Sequence, residues 1–296
     1  MTELSTFIAQ GWQDHAQDAR GVADRLAQAL CLVADEAGLM SLVGLAHHVH
    51  GEHLGSWQEG IALIGKLEGN AAFVAGGDSG AACRRALASL RLSGGLADER
   101  TGLTPADLIR VNAMAAANLA SRDTARAAGL LGQAHAQAQA AALPHQDMAH
   151  RVLASSANGI AATLEEKQAR SADERALMLQ AAEMAREYWA LAGSWLEVER
   201  AEYRLALSAL QAGLIDRARG HALACLRIVT DHDDVALEQF FGFEALARIE
   251  RAAADASAFA LALASARAAF ARLSDDDRSW CRSSLDKLGT ATSAPP

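Results

Sequence analysis

Residues 197–231, EVERAEYRLALSALQAGLIDRARGHALACLRIVTD, constrain the fold more than any other stretch. They read as two helices of about equal length joined at Ala212-Gly213. Small residues recur where two antiparallel helices would cross: Ala206 and Ala209 in the first, Ala218 and Ala222 in the second. Gly213 falls where a helix C-terminus favours a left-handed residue, and Asp216 where the next helix takes an N-cap. One such pair cannot bury both of its apolar faces, so it requires neighbours of the same build.

The rest of the chain has the composition for it. Hydrophobic residues make up 51%, but aromatics only 5%, and much of the apolar share is alanine. Alanine favours helix and close helix approach, whereas the Val, Ile, Tyr and Thr runs of strands are scarce. Of four prolines, two are the last residues, Pro295 and Pro296. The expected fold class is all-α. A net charge of -9 argues against nucleic acid or an anionic membrane as partner, since both need a basic surface. Cys31, Cys83, Cys225 and Cys281 lie far apart with no C-x-x-C pair, as expected of reduced thiols rather than a disulfide framework. The N-terminus shows no basic segment followed by an apolar core, and no apolar run is long enough to span a bilayer. A cytoplasmic protein is expected.

Helix boundaries follow from caps and period. Residues 4–34 form one or two amphipathic helices, and a first pair follows at about 36–53 and 57–68. Ser56, Ser171 and Ser194 each open an S-x-x-E capping box before an apolar-periodic run. The glycine-rich segment 69–103 predicts a distorted pair with a short helix at about 81–92. Thr104-Pro105 then starts a regular series: 105–120 with 122–142, 146–166 with 173–192, 195–212 with 216–230, and 235–253 with 256–273. A last helix is expected at about 276–288. The expected organisation is one helical-repeat domain over 1–289, with capping helices in 1–35, irregular pairs in 36–103, regular pairs in 104–273 and a capping helix in 274–289. Residues 290–296 are expected to be a disordered tail.

Gly213 at the turn, followed by Ala218, Ala222 and Cys225, resembles the core signature of a tetratricopeptide repeat, and Ala206 and Ala209 match its small first-helix positions. The pattern recurs with Ala113, Ala116, Ala120, Ala125, Gly129 and Gly132, and more weakly with His48, Gly51, Gly55, Gly60 and Ile64. The resemblance covers most of 36–273. Its long repeats are closer to the superhelical sensor domains of bacterial transcription activators than to short co-chaperone repeats. The sequence departs from the family in replacing most of its aromatics by alanine and in 69–103. The resemblance implies a right-handed α-α superhelix whose concave groove is lined by the first helix of each pair. Helical spacing then picks out the lining stripes. They contain Asp107, Arg110 and Asn118 in one helix, Arg151 with Asn158 beside its stripe in the next, and Arg200, Tyr203 and Gln211 in a third. Arginine grips carboxylates bidentately and asparagine satisfies an extended backbone, so an acidic peptide or a free C-terminus is the expected partner. The competing reading is that these arginines are solvated and paired with nearby carboxylates.

Sites of chemistry are sparse. In His47-His48-Val49-His50-Gly51-Glu52-His53, helical spacing places His47, His50 and His53 as candidate metal ligands, with Glu52 as a further ligand or an orienting group. The competing reading is helix-end histidines interacting with the dipole. Gly60-Ile-Ala-Leu-Ile-Gly65-Lys66-Leu67 misses a P-loop, because Leu67 replaces the magnesium-binding hydroxyl and a capped helix replaces the strand. There is no Glu-x-x-His pair for a di-iron bundle, and no G-x-S-x-G elbow. The acidic runs at 231–234 and 275–277 are read as helix-boundary residues, and Trp57, Trp189 and Trp195 as seals between helices. The expected function is non-catalytic peptide or protein binding without a cofactor. The alternative is a metal or small-molecule sensor, or a metal-dependent enzyme, at the histidine cluster. Self-association of the concave surface is a third expectation.

Overall fold

A computed structural model describes residues 2–96, 100–232 and 235–289. Asp233 and Asp234 of the acidic run, and the expected tail at 290–296, lie outside the described residues. Within those described there are fourteen α-helices and no strand. None of these helices is long and apolar enough to cross a membrane. The chain divides into two compact units, 1–156 and 157–296, with the division inside one helix.

Unit 1 holds α1 (Glu3–Asp14), α2 (Ala19–Ala29), α3 (Glu36–His48), α4 (Trp57–Leu67), α5 (Asp78–Ser93), α6 (Pro105–Leu119), α7 (Thr124–Ala141) and the start of α8 (Met148–Glu165). Its core joins Leu26 of α2, Leu39, Leu42 and Leu45 of α3, Ile64 and Leu67 of α4, and Leu90 of α5. Full burial of each such side chain is worth about 1.5–3 kcal/mol. α5 is longer than the glycine content of its surroundings suggests, because it packs against α3, α4 and α6 at once. Between α3 and α4 the chain widens into a π-helical turn, Val49–Leu54, ended by Gly55 at a left-handed φ of 62°.

That turn removes one of the expected capping boxes. The Ser56 hydroxyl is held by His50 Nδ1 at 2.8 Å and makes no cap bond to α4, while Glu59 pairs with Arg20. The boxes at Ser171 and Ser194 are formed as expected.

Unit 2 holds the rest of α8, then α9 (Ala172–Ala192), α10 (Trp195–Gln211), α11 (Ile215–Thr230), α12 (Ala236–Ala252), α13 (Ala256–Ala271) and α14 (Asp275–Gly289). Consecutive helices pack in order: α9 on α10, α10 on α11, α11 on α12 and α12 on α13. The alanines predicted at the crossing are fully buried, with Ala206 and Ala209 against Ala218, Ala222, Ala245 and Ile249. Gly213 adopts φ 76°; its N–H reaches the Leu210 carbonyl and that of Leu214 the Ala209 carbonyl, a Schellman closure. This tight turn starts α11 at Ile215, so Asp216 lies inside the first turn rather than at the N-cap, and it pairs with Arg219.

Candidate functional site

In unit 1 Asp107 and Arg110 stay together while Asn118 parts from them. Asp107 accepts from Arg85 at 3.0 Å and bonds the Thr104 cap hydroxyl. Arg110 lies 3.9 Å from both Asp107 and Asp147. Burial, then the nearby Arg85, lowers its pKa. Arg151 is exposed on α8. Asn118 is not a surface residue, being 0% exposed. Its amide donates to Ser93 Oγ at 2.9 Å and Ser89 Oγ at 3.3 Å. The end of α6 is enclosed by α5, α7 and the π turn, so the stripe that is polar at Arg110 becomes interior eight residues later.

In unit 2, three predicted residues do come together. Asn158, Arg200 and Tyr203 line a cleft of about 330 Å³ with Glu199, Arg204, Leu237, Glu238, Phe241 and Trp280. Arg200 donates to Glu238 at 3.0 Å, yet its side chain remains 59% exposed. Arg204 is paired with Glu165, whose other oxygen takes the Ser208 hydroxyl at 2.5 Å. Tyr203 donates its hydroxyl to Glu244 at 3.1 Å, and its ring meets Phe241 edge-on. Phe241 in turn meets Trp280, which is 66% exposed. Gln211 lies away from this lining and accepts from Arg170. Arg110 and Arg200 thus each have carboxylate neighbours, and among the described residues Arg200 meets Glu238 on one edge of a largely exposed guanidinium.

Of the lining residues that spacing missed, Glu199 and Arg204 lie on α10 itself and the rest come from other helices. Glu238 and Phe241 sit on α12 and Trp280 on α14, and only packing brings them to α10. The F-F-G-F run at 240–243 was the available signal. Burial raises the Glu165 and Glu244 carboxyls despite their arginine partners, and drives Glu199 to about 7.

The histidine segment is arranged differently from its α-helical spacing. His47 and His50 face inward: His47 Nε2 is 3.0 Å from Ser89 Oγ, and His50 Nδ1 binds Ser56. Burial pushes the His47 imidazole down to about 4. Neither joins His53. In an α-helix residues three apart share a face, but a π turn closes between residues five apart. His53 consequently falls beside His48, with Nε2 to Nε2 at 3.1 Å. The third member is His15, at the C-cap of α1. The rings of His15, His48 and His53 have mutual centroid distances of 4.8–4.9 Å, all edge-on, with Trp12 stacked obliquely over His48. Sequence reasoning missed His15 because nothing in spacing links it to residue 48.

The π turn is held from outside. Arg122 donates to the Glu52 carbonyl at 2.8 Å and the His53 carbonyl at 2.7 Å. Asn118 occupies the space where a side chain at Gly51 would be; a Cβ there would lie 2.3 Å from its Oδ1.

These features define an all-α protein of helix pairs packed in succession, with a mixed aromatic and charged cleft in unit 2 and a triad of imidazoles in unit 1. Comparisons with protein-family models, with curated proteins and with solved structures find no match to the chain.

Proposed function

We propose that this protein is a non-catalytic binding module, a divergent tetratricopeptide-repeat-like superhelix of right-handed sense, which takes a peptide or protein segment in the unit 2 cleft. The observation that carries the reading is the meeting of Asn158, Arg200 and Tyr203 with an exposed Trp280 in one concave site. Trp280 and Phe241 offer a wall for an apolar side chain. The open edge of Arg200 suits a carboxylate, from an acidic residue or a free C-terminus, and Asn158 suits the peptide backbone. Aromatic and arginine anchors of this kind dominate binding energy at peptide interfaces.

The chemistry of the cleft favours binding over catalysis. The thiol that meets a lining residue, Cys225, donates to Glu199 at 2.6 Å, and burial together with that carboxylate raises its pKa, the reverse of activation. The four unpaired cysteines fit a reducing, cytoplasmic setting, and the net charge of -9 fits a protein partner better than nucleic acid or membrane.

The test is a peptide array presenting free and amidated C-termini, followed by calorimetry on the best binder. Trp280→Ala and Arg200→Glu should each weaken binding about 30-fold, the equivalent of about 2 kcal/mol for an anchor residue. Binding indifferent to Arg200→Glu, or a cleft that light scattering shows filled by a second copy of the chain, would sink the peptide reading.

A further inference from the structure

We infer that His15, His48 and His53 form a binding site for a divalent transition cation of the zinc class, in unit 1 and independent of the cleft. Each ring offers one nitrogen, and the three lie within 4.8 Å of one another. Tetrahedral Zn²⁺ with Zn–N bonds of 2.0–2.1 Å needs nitrogens about 3.3 Å apart. His48 and His53 already stand at 3.1 Å, so only the His15 ring must close in.

Two of the three tautomers are set for it. A carboxylate and a carbonyl can only accept, so the rings facing them must donate. His48 gives its Nδ1–H to Glu52 Oε1 at 2.9 Å, and His15 gives its Nδ1–H to the Trp12 carbonyl at 2.7 Å. Both therefore keep a lone pair on Nε2. This is the outer arrangement that orients metal-binding imidazoles: a carboxylate behind one and a backbone carbonyl behind another. His53 first donates its Nε2–H to the His48 Nε2 lone pair at 3.1 Å, and it completes the set when the other neutral tautomer, with the proton on Nδ1, exchanges that hydrogen bond for a bond to the ion.

The surroundings fit a site that is built rather than incidental. His15 and His48 are half-buried while His53 is exposed, which gives a cation an entry path. Arg122 fixes the carbonyls of Glu52 and His53, and Asn118 fills the space over Gly51, so the turn that brings His53 back to His48 at the end of α3 is braced before any ion arrives. Three imidazoles suit Zn²⁺, Cu²⁺, Co²⁺ or Ni²⁺ rather than Ca²⁺ or Mg²⁺, which take oxygen ligands. A bound ion would tie the end of α1 to the π turn and leave a fourth position for water or an exogenous ligand.

The experiment titrates the full chain, purified without a histidine tag, with Zn²⁺ by calorimetry and with Co²⁺ by visible absorption. One ion per chain is expected, with Co²⁺ bands of a tetrahedral nitrogen-rich site. His15→Ala and His53→Gln should each weaken Zn²⁺ binding at least about tenfold, and Glu52→Gln about 10–100-fold. His145→Ala, an exposed histidine elsewhere in unit 1, should leave it unchanged. Circular dichroism without metal checks that each variant keeps its helices, which His15→Ala at a helix end is placed to do. No uptake by the native chain, or uptake that survives both His15→Ala and His53→Gln, overturns the site.

Discussion

Glu199, on the inner face of α10, is only 2% exposed and takes the Cys225 thiol as a hydrogen-bond donor at 2.6 Å. Other buried acids of unit 2 have stronger partners: Glu202 of α10 holds Arg186 and His221, each at 2.7 Å, and Glu250 of α12 holds Arg219 at 2.6 Å. For Glu202 those bonds outweigh burial and leave the carboxyl below its usual range. For Glu199 burial wins, with Glu238 adding repulsion against the pull of Cys225, and the carboxyl titrates at about 7. Between its ordinary value of 4.5 and about 7 the unfolded chain has lost this proton and the folded chain keeps it. Stability from this group therefore falls as pH rises across that window. Glu199→Gln keeps an acceptor for the thiol and removes the ionisation. It should gain stability over the native chain by an amount near zero at pH 4 and of the order of 3 kcal/mol at pH 8. Urea denaturation of both chains across that range measures the difference, and a difference that does not grow with pH refutes the assignment.

At the scale of elements, two turns of unit 2 share one geometry with different residues. Gly213 closes α10 at φ 76°, and Ala254 closes α12 at φ 58° with the same pair of bonds, Ala254 N–H to the Arg251 carbonyl and Asp255 N–H to the Glu250 carbonyl. Left-handed backbone costs an alanine roughly 1–2 kcal/mol, partly offset by the greater freedom of glycine in the unfolded chain. Ala254→Gly should stabilise by about 0.5–1 kcal/mol, and Gly213→Ala should destabilise by a similar amount. Nothing lies within 4 Å of a Cβ built at Gly213, so its effect reports backbone strain alone. Equal urea midpoints for the native and Ala254→Gly chains would contradict this account. The glycine turn was legible because Gly213 lies between two periodic runs, whereas an alanine doing the same work leaves no mark in a sequence. The π turn was illegible for a related reason. Spacing arguments assume 3.6 residues per turn, and the widening at 49–54 depends on Asn118 and Arg122, some 70 residues away, filling and latching it.

Across the whole molecule, the class of fold was readable because it depends on many weak and redundant signals. Alanines at the crossings, capping serines and a scarcity of proline all point one way, so the lost cap at Ser56 and the shifted start of α11 changed nothing larger. The sites depend on single meetings of distant residues. Arg200 and Tyr203 were found because they share a helix face, but Trp280 and His15 were not, since only tertiary packing brings them to their partners. The two sites have no residue in common and belong to different compact units. Each ligand should therefore leave its own imprint on backbone hydrogen exchange. At a Zn²⁺ concentration of about 100 times Kd, binding should suppress openings that expose the triad by up to about 2.7 kcal/mol. The slowing should fall on the last turn of α1 and on residues 45–56, and persist in Arg200→Glu. A carboxylate-ended peptide should slow α10, α12 and α14, and persist in His15→Ala. Slowing of α10 by Zn²⁺ would show that one of the two sites has been assigned to the wrong residues.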